Sequence, residues 1–297
     1  MVLWLLMFIS GVLLGLGVSH VWKWRPSSRS PSSAQARRRR QYVPRGSGGE
    51  QIRGSSADAQ RTVLCEDAIA WLQSISALPT GSCVLTGVPD IHELDNITLA
   101  GYVEWFQMTV KLILEKLPAQ SRAIFMQTDV KVTKDGNHGR NAKGGTYWQW
   151  LNKAHLAILA ASDMPGVRLL WHRIIFSGKI VGGGRSGFSA GYTHYLCFTN
   201  DEADESLDRG FPDVIRKGLS TWTSGAGVNS VELACNYLKS CGCRIVVDPF
   251  CGEGAVLAVA NALQLQALGV EHSQKRARQA RCLDGQALLE ADHAEFA

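Results

Sequence analysis

From residue 61 onward the chain alternates short apolar runs with stretches in which apolar side chains recur every three or four positions, the two periods of strands and helices. Residues 62–65, 83–86 and 122–127 read as strands. Residues 68–75 and 98–117 read as helices, the second long, amphipathic and stopped by Pro118. Gly87-Val88-Pro89-Asp90 closes the second strand, because proline lacks the donor that pairing needs. Residues 147–164 carry a helical pattern ended by Pro165-Gly166, and residues 167–176 and 192–198 read as two strands forming an antiparallel edge. An acidic loop over 200–208 leads to a helix over 230–239, for which Asn229 and Glu232 have the spacing of a capping box. A strand at 244–247, a helix at 255–263, a strand at 267–270 and a basic surface helix at 274–283 follow.

Strands that alternate with helices require a mostly parallel sheet covered on both faces, so the expected fold class is α/β, doubly wound. No internal repeat is present, and residues 61–297 read as one domain. Composition agrees: 297 residues, 45% hydrophobic and 19% charged, suit one large globular core.

The start of the chain is different. Residues 1–22 contain no charged side chain, and about 20 such residues span the roughly 30 Å hydrocarbon core of a bilayer. The expectation is a single transmembrane anchor over 1–22, a basic Ser/Gly/Arg-rich linker over 23–60 and the domain beyond. Lys23, Arg25, Arg29, Arg37, Arg38, Arg39, Arg40 and Arg45 all precede the first acid, Glu50, so the formal charge of +5 describes this tail rather than the domain. Cations on the C-terminal side of the span place the domain in the cytosol, and the Ser/Arg-rich composition also resembles an organelle presequence, mitochondrial or plastid. Eight cysteines without a framework spacing fit a reducing compartment, and Cys241-Gly242-Cys243 is too tight for a zinc pair, so no metal is expected.

The chemistry concentrates late. An apolar strand runs into Asp248-Pro249-Phe250-Cys251-Gly252-Glu253-Gly254, opens a helix, and is answered by Glu271 at the end of the next strand, 23 positions after Asp248. Glycines in such a turn let backbone approach a nucleoside-bearing cofactor, and the acid can accept hydrogen bonds from a ribose diol. A nicotinamide or flavin turn would want Gly-x-Gly-x-x-Gly instead. The motif normally begins a doubly wound domain, yet here it nearly ends one.

That order resembles the circularly permuted layout of the S-adenosylmethionine-dependent methyltransferases known as the beta group of amino-group DNA methyltransferases. The segment from Thr62 to Leu72, with Glu66-Asp67-Ala68, looks like the family's acid turn and helix; Val84-Leu85-Thr86-Gly87-Val88-Pro89-Asp90 looks like its proline-containing catalytic loop; the Asp248–Gly254 turn looks like its cofactor motif. The resemblance implies a Rossmann-like methyltransferase sheet with S-adenosyl-L-methionine as cofactor. It further implies that Phe250, Cys251, Gly252 and Gly254, beside Asp248, surround the methionine half, that Glu271 takes the ribose, that Asp67 takes the adenine amino group, and that Thr223 and Asn229 lie near the carboxylate end. Catalytic candidates are Thr86, Pro89 and Asp90. The family has a second proline and an aromatic ring where this chain has Asp90, which suits holding or deprotonating a different nucleophile and equally suits capping the following turn.

Other polar candidates sit at strand ends. Gln127, Thr128 and Asp129 lead into a Lys131–Lys143 loop suited to an anionic substrate. His172 and His194 lie inside apolar runs and read as satisfied buried histidines. Trp148, Trp150, Trp171 and Trp222 serve as base-stacking surfaces or as core. The favoured expectation is methylation of nucleic acid, RNA ahead of DNA, by a membrane-tethered enzyme. The alternatives are a methyltransferase for a small molecule, lipid or protein at a membrane surface, and a non-catalytic cofactor-binding module.

Overall fold

The computed structural model describes residues 60–133, 148–176, 190–200, 210–222 and 225–296. The expected anchor, nearly all of the linker and Thr223 lie outside these residues. Among the described residues no helix is long and apolar enough to cross a membrane. In chain order the elements are β1 (Arg61–Leu64), α1 (Ala68–Ser74), β2 (Ser82–Thr86), α2 (Leu99–Glu115), β3 (Arg122–Gln127), β4 (Val130–Thr133), β5 (Trp148–Leu151), α3 (Lys153–Ser162), β6 (Arg168–Phe176), β7 (Tyr192–Thr199), β8 (Val214–Arg216), α4 (Val228–Ser240), β9 (Ile245–Asp248), α5 (Ala255–Ala262), β10 (Gln266–Val270), α6 (Gln274–Cys282) and α7 (Gly285–Phe296).

Eight strands form one sheet in the order β1-β10-β9-β2-β3-β7-β6-β8. The first five are mutually parallel, β7 runs antiparallel to both neighbours, and β8 pairs parallel with β6. Adjacent residues of the central strands face opposite layers. Leu85, Ile124, Cys197 and Val246 pack on the α4, α5 and α7 side, whereas Val84, Phe125, Leu196 and Val247 pack on the α1, α2 and α3 side. A parallel strand buried on both faces must be apolar throughout, which is why these segments read as unbroken apolar runs. Helix α2 stands on the second layer through Tyr102, Phe106, Val110 and Ile113, spaced by one turn and fully buried.

The sheet reverses its winding between β9 and β2, and a crevice outside the carboxyl ends of the strands at such a reversal is where doubly wound folds hold ligands. The Asp248 turn follows β9, Glu271 follows β10, Asp67 follows β1, the Thr86–Asp90 loop follows β2 and Asp129 follows β3. One edge therefore collects the Asp248 turn, Glu271, Asp67, the Thr86–Asp90 loop and Asp129 from five loops, while Asn229 lies in α4.

The structure corrects four elements. The expected helix over 147–164 divides into β5 and α3: Trp148-Gln149-Trp150-Leu151 pairs antiparallel with β4, and the Asn152 side chain then caps α3 by accepting the His155 N–H at 2.8 Å. Asn229 is no cap. Helix α4 starts at Val228 with Gly227 as its cap, and the Asn229 amide bonds to Arg216 instead, donating to its carbonyl at 2.6 Å. Strand β8 is three residues long, too short to carry a period. Helix α7 was hidden by its polarity: Asp292 is fully buried, accepting the Leu219 N–H and pairing with Arg216 at 3.2 Å, so a core position is occupied by an acid.

Candidate functional site

The turn after β9 is built by two left-handed glycines. Gly252 has φ 56° and Gly254 φ 86°, and Gly254 is the N-cap of α5. A Cβ at Gly254 would fall 2.6 Å from Cα and Cβ of Ala280 in α6, so the helices approach there as closely as glycine allows. Gly254→Val should destabilise the fold by on the order of 3 kcal/mol, combining left-handed strain with that overlap. A urea midpoint matching wild type would show that the turn relaxes freely. Beside Gly252 a Cβ would meet nothing within 4 Å, which leaves open space next to the first N–H groups of α5.

Two buried acids border that space. Asp248 is 3% exposed; its Oδ1 accepts the Thr86 hydroxyl at 2.6 Å and the Phe250 N–H at 3.1 Å. Burial pushes its carboxyl up to about 7, with Glu271 adding to the rise and the two hydrogen bonds opposing it. Glu271, 6% exposed, accepts the Ser273 N–H at 2.7 Å and faces His272 Nδ1 at 3.3 Å. Its carboxyl is raised chiefly by burial, while the Ser273 N–H, Arg276 and the Gly252 N–H hold it down. Cys251 belongs to the core rather than to the cradle. A Cβ on Gly269 would lie 2.8 Å from its sulfur, and burial first, then the nearby acids, push its thiol up, so only its backbone serves the turn.

Phe250 is half-buried and meets Trp105 edge-on at 6.4 Å between ring centres. Arg276 lies over the Trp222 ring at 5.1 Å. Asp67 is exposed and caps α1 by accepting the Ala70 N–H at 2.8 Å. An open glycine turn, the first N–H groups of α5 and two buried acids fit a ligand with a diol, a carboxylate and cationic groups.

The expected catalytic residues of the loop after β2 are each bonded to other parts of the protein. Thr86 is fully buried and spends its hydroxyl on Asp248, so it orients an acid and does not face the crevice. The Pro89 carbonyl accepts the Tyr102 hydroxyl at 2.9 Å. Asp90 stands at the N-cap position of the following 3-10 turn (Ile91–Glu93), its N–H donates to Glu93 Oε1 at 3.0 Å, and its carboxylate pairs with Lys153 Nζ. Lys153 escaped the sequence reading. It is 2% exposed at the first position of α3, among alanines, with nothing in its neighbours to mark a buried cation.

Lys153 also reaches a second group. Its backbone N–H donates to Asp129 Oδ1 at 2.9 Å, and Asp129 Oδ2 lies 3.0 Å from His194 Nε2, whose Nδ1 lies 2.8 Å from His172 Nε2. His194 is buried as expected, but His172 is exposed on β6, next to the edge strand β8. The His172 imidazole is shifted down by burial of its ring, then by His194. Trp171 is core, stacked on Phe211 at 4.6 Å, whereas Trp150 is half exposed with Lys131 above its ring at 5.2 Å. The Trp148 side chain lies outside the described residues. Among those residues no group of His, Cys, Asp or Glu is arranged to hold a metal ion.

No protein-family model matches the chain, and no curated protein matches it. Solved structures do. TTHA0409 from Thermus thermophilus, assigned as a DNA modification methylase and solved with S-adenosyl-L-methionine, aligns with TM-score 0.53 and 15% identity over 78% of this chain and 94% of that one. PvuII DNA methyltransferase, cytosine-N4-specific, aligns with TM-score 0.54 and 14% identity over 80% of this chain and 92% of that one. The fold is therefore shared with these two methyltransferases, and the Asp248–Gly254 turn lies late in the chain, after β9.

Proposed function

We propose that the chain is a methyltransferase that uses S-adenosyl-L-methionine and acts on nucleic acid. The observation that carries the reading is the convergence, at one sheet edge, of the Asp248–Gly254 turn, Glu271 and the Thr86–Asp90 loop. When bound, the cofactor supplies a methyl group on a sulfonium, whose departure leaves a neutral sulfide, so positioning of the acceptor contributes most of the rate. Gly252, Gly254 and the α5 N–H groups would hold its methionine half, and Glu271 its ribose. The two solved neighbours are described as DNA enzymes, which moves the first acceptor to test from RNA to DNA.

A second reading rests on the loop after β2. Asp90 is neutralised by Lys153, and no aromatic ring follows Pro89, so the usual grip on an exocyclic base amine is missing. That favours an acceptor other than a base amine, on a nucleic acid, small molecule, lipid or protein. For the charge-free residues 1–22 we keep the single-pass anchor with the domain facing the cytosol, an organelle presequence being the other outcome.

Calorimetry with S-adenosyl-L-methionine should show saturable binding that Glu271→Ala weakens at least tenfold, the loss of about 1.4 kcal/mol or more. No heat with wild type would end both enzyme readings. Labelled cofactor incubated with genomic DNA, total RNA, lipid and protein fractions should label DNA. Label confined to lipid or protein would refute the nucleic-acid acceptor, and binding without any transfer would leave a non-catalytic module. Membrane fractionation of the full chain against one lacking residues 1–22 tests the anchor, which equal solubility would exclude.

A further inference from the structure

The Asp129–His194–His172 chain has a defined polarity. A carboxylate only accepts hydrogen bonds, so His194 Nε2 carries the proton facing Asp129 Oδ2. His194 Nδ1 is then an acceptor, which makes His172 Nε2 the donor at 2.8 Å and leaves Nδ1 of the exposed His172 as the basic nitrogen. Both Asp129 and His194 are buried, and Asp129 is fixed further by the Lys153 N–H at 2.9 Å. A buried acid that aligns two rings in series is the arrangement by which a surface imidazole is held in one tautomer and its cation stabilised.

The histidines are tied to the loop after β2. His194 stands in register with Gln127, the last residue of β3, and Thr86 at the end of β2 stands in register with Phe125 on that same strand. The Lys153 side chain pairs with Asp90 of the loop after β2 while its backbone holds Asp129, so one residue ties the loop to the histidines. Gln127 is fully buried, and among the described residues neither its Oε1 nor its Nε2 has a hydrogen-bond partner. Buried amides are rarely left so, and an unpaired donor and acceptor at a ligand edge point to a polar group that binds there.

We propose that His172 takes the proton from a methyl acceptor whose nucleophilic atom arrives protonated, a hydroxyl or a ring N–H, with His194 and Asp129 as positioning residues and Gln127 holding the acceptor's polar edge. The inference rests on the methyltransferase reading above. The acceptor atom forms a bond to the methyl carbon and the carbon–sulfur pair leaves on sulfur. The X–H pair stays on the acceptor atom, and the proton goes to His172 Nδ1, from which water removes it. An exocyclic amine would need no such base, because its methylated cation sheds a proton to water unaided. The charged and titratable groups acting on His172 are His194 on β7, Asp129 after β3 and Arg173 on β6. Burial and the neighbouring His194 keep His172 neutral near pH 7, the state a base requires.

Nitrogen NMR of the cofactor-free protein should show His172 protonated at Nε2, and Asp129→Asn, whose amide can donate to His194 Nε2, should reverse the tautomer of both rings. His172 protonated at Nδ1 in wild type would overturn the proposal. His172→Gln should keep the bond to His194, bind S-adenosyl-L-methionine as wild type does by calorimetry, and lower labelled-methyl transfer to the accepting DNA or RNA about 10²- to 10⁴-fold. The wild-type rate should rise with pH below the His172 titration and then level, a limb the variant lacks. Equal rates with one pH profile, or product methyl on an exocyclic amine, would overturn the relay alone. Failure of wild type to bind cofactor or to label any acceptor would overturn the methyltransferase reading itself.

Discussion

Replacing Asp248 by Asn should stabilise the cofactor-free protein at neutral pH, by an amount that grows between about pH 4 and pH 7 and is constant above. The wild-type carboxyl titrates at about 7 in the fold against an ordinary value of 3.8, because burial penalises its charge. A raised folded value means that the folded state holds a proton the unfolded state has already released. Stability is then full below pH 3.8 and is lost as pH climbs to about 7. About three units at ~1.36 kcal/mol each gives a difference of roughly 4 kcal/mol between Asn and Asp at pH 8. Asn keeps an oxygen for the Thr86 hydroxyl and the Phe250 N–H, so the hydrogen bonds survive. Denaturant melts at pH 4, 6 and 8 measure it, and a pH-independent difference would show that Asp248 is ionised at ordinary acidity. A carboxyl this close to neutrality is a poor structural element but a good receptor for a cation, so the same change should weaken S-adenosyl-L-methionine binding, most at high pH.

Asp248 also shows what the sequence made legible. An acid after Val246-Val247 and before a glycine turn announces a ligand edge by chemistry local to nine residues, and the parallel strands announce themselves by unbroken apolar runs. Order along the chain then sufficed to place Glu271, Asp67 and the loop after β2 on one edge, since topology puts the carboxyl ends of parallel strands together. What stayed hidden depends on partners distant in sequence. Asp90 and Lys153 are 63 positions apart, and neither residue type nor spacing joins them. His172 and His194 looked alike in their apolar runs, and their different exposure follows from β6 lying near the sheet edge while β7 lies inside it. Asn229 satisfied a capping rule that the tighter Gly227 won, because a Cβ there would fall 1.9 Å from the Lys217 carbonyl.

Lys153→Ala should cost on the order of 2–3 kcal/mol and loosen the loop after β2. Removing one partner of a buried pair strands the other charge, which typically costs about 3–5 kcal/mol. Asp90 is 27% exposed on its side chain, so water recovers part of that loss and the lower figure applies. The stem of Lys153 adds a packing term, being buried at the first turn of α3. Asp90→Asn alone leaves the cation in an almost closed site and should cost at least as much, whereas Lys153→Met with Asp90→Asn restores volume without charge and should recover most of the stability. If the double variant is as weak as the sum of the singles, the two residues do not interact. The functional consequence separates from the structural one in that double variant. Its fold should be sound and its cofactor affinity intact, since the hydrogen bonds of the pair run to Glu93, Asp129 and each other. Methyl transfer should still fall, because Asp90 no longer anchors the loop to the segment that fixes Asp129. Full transfer by the double variant would reduce the pair to a structural clamp and return the choice of acceptor to the crevice itself.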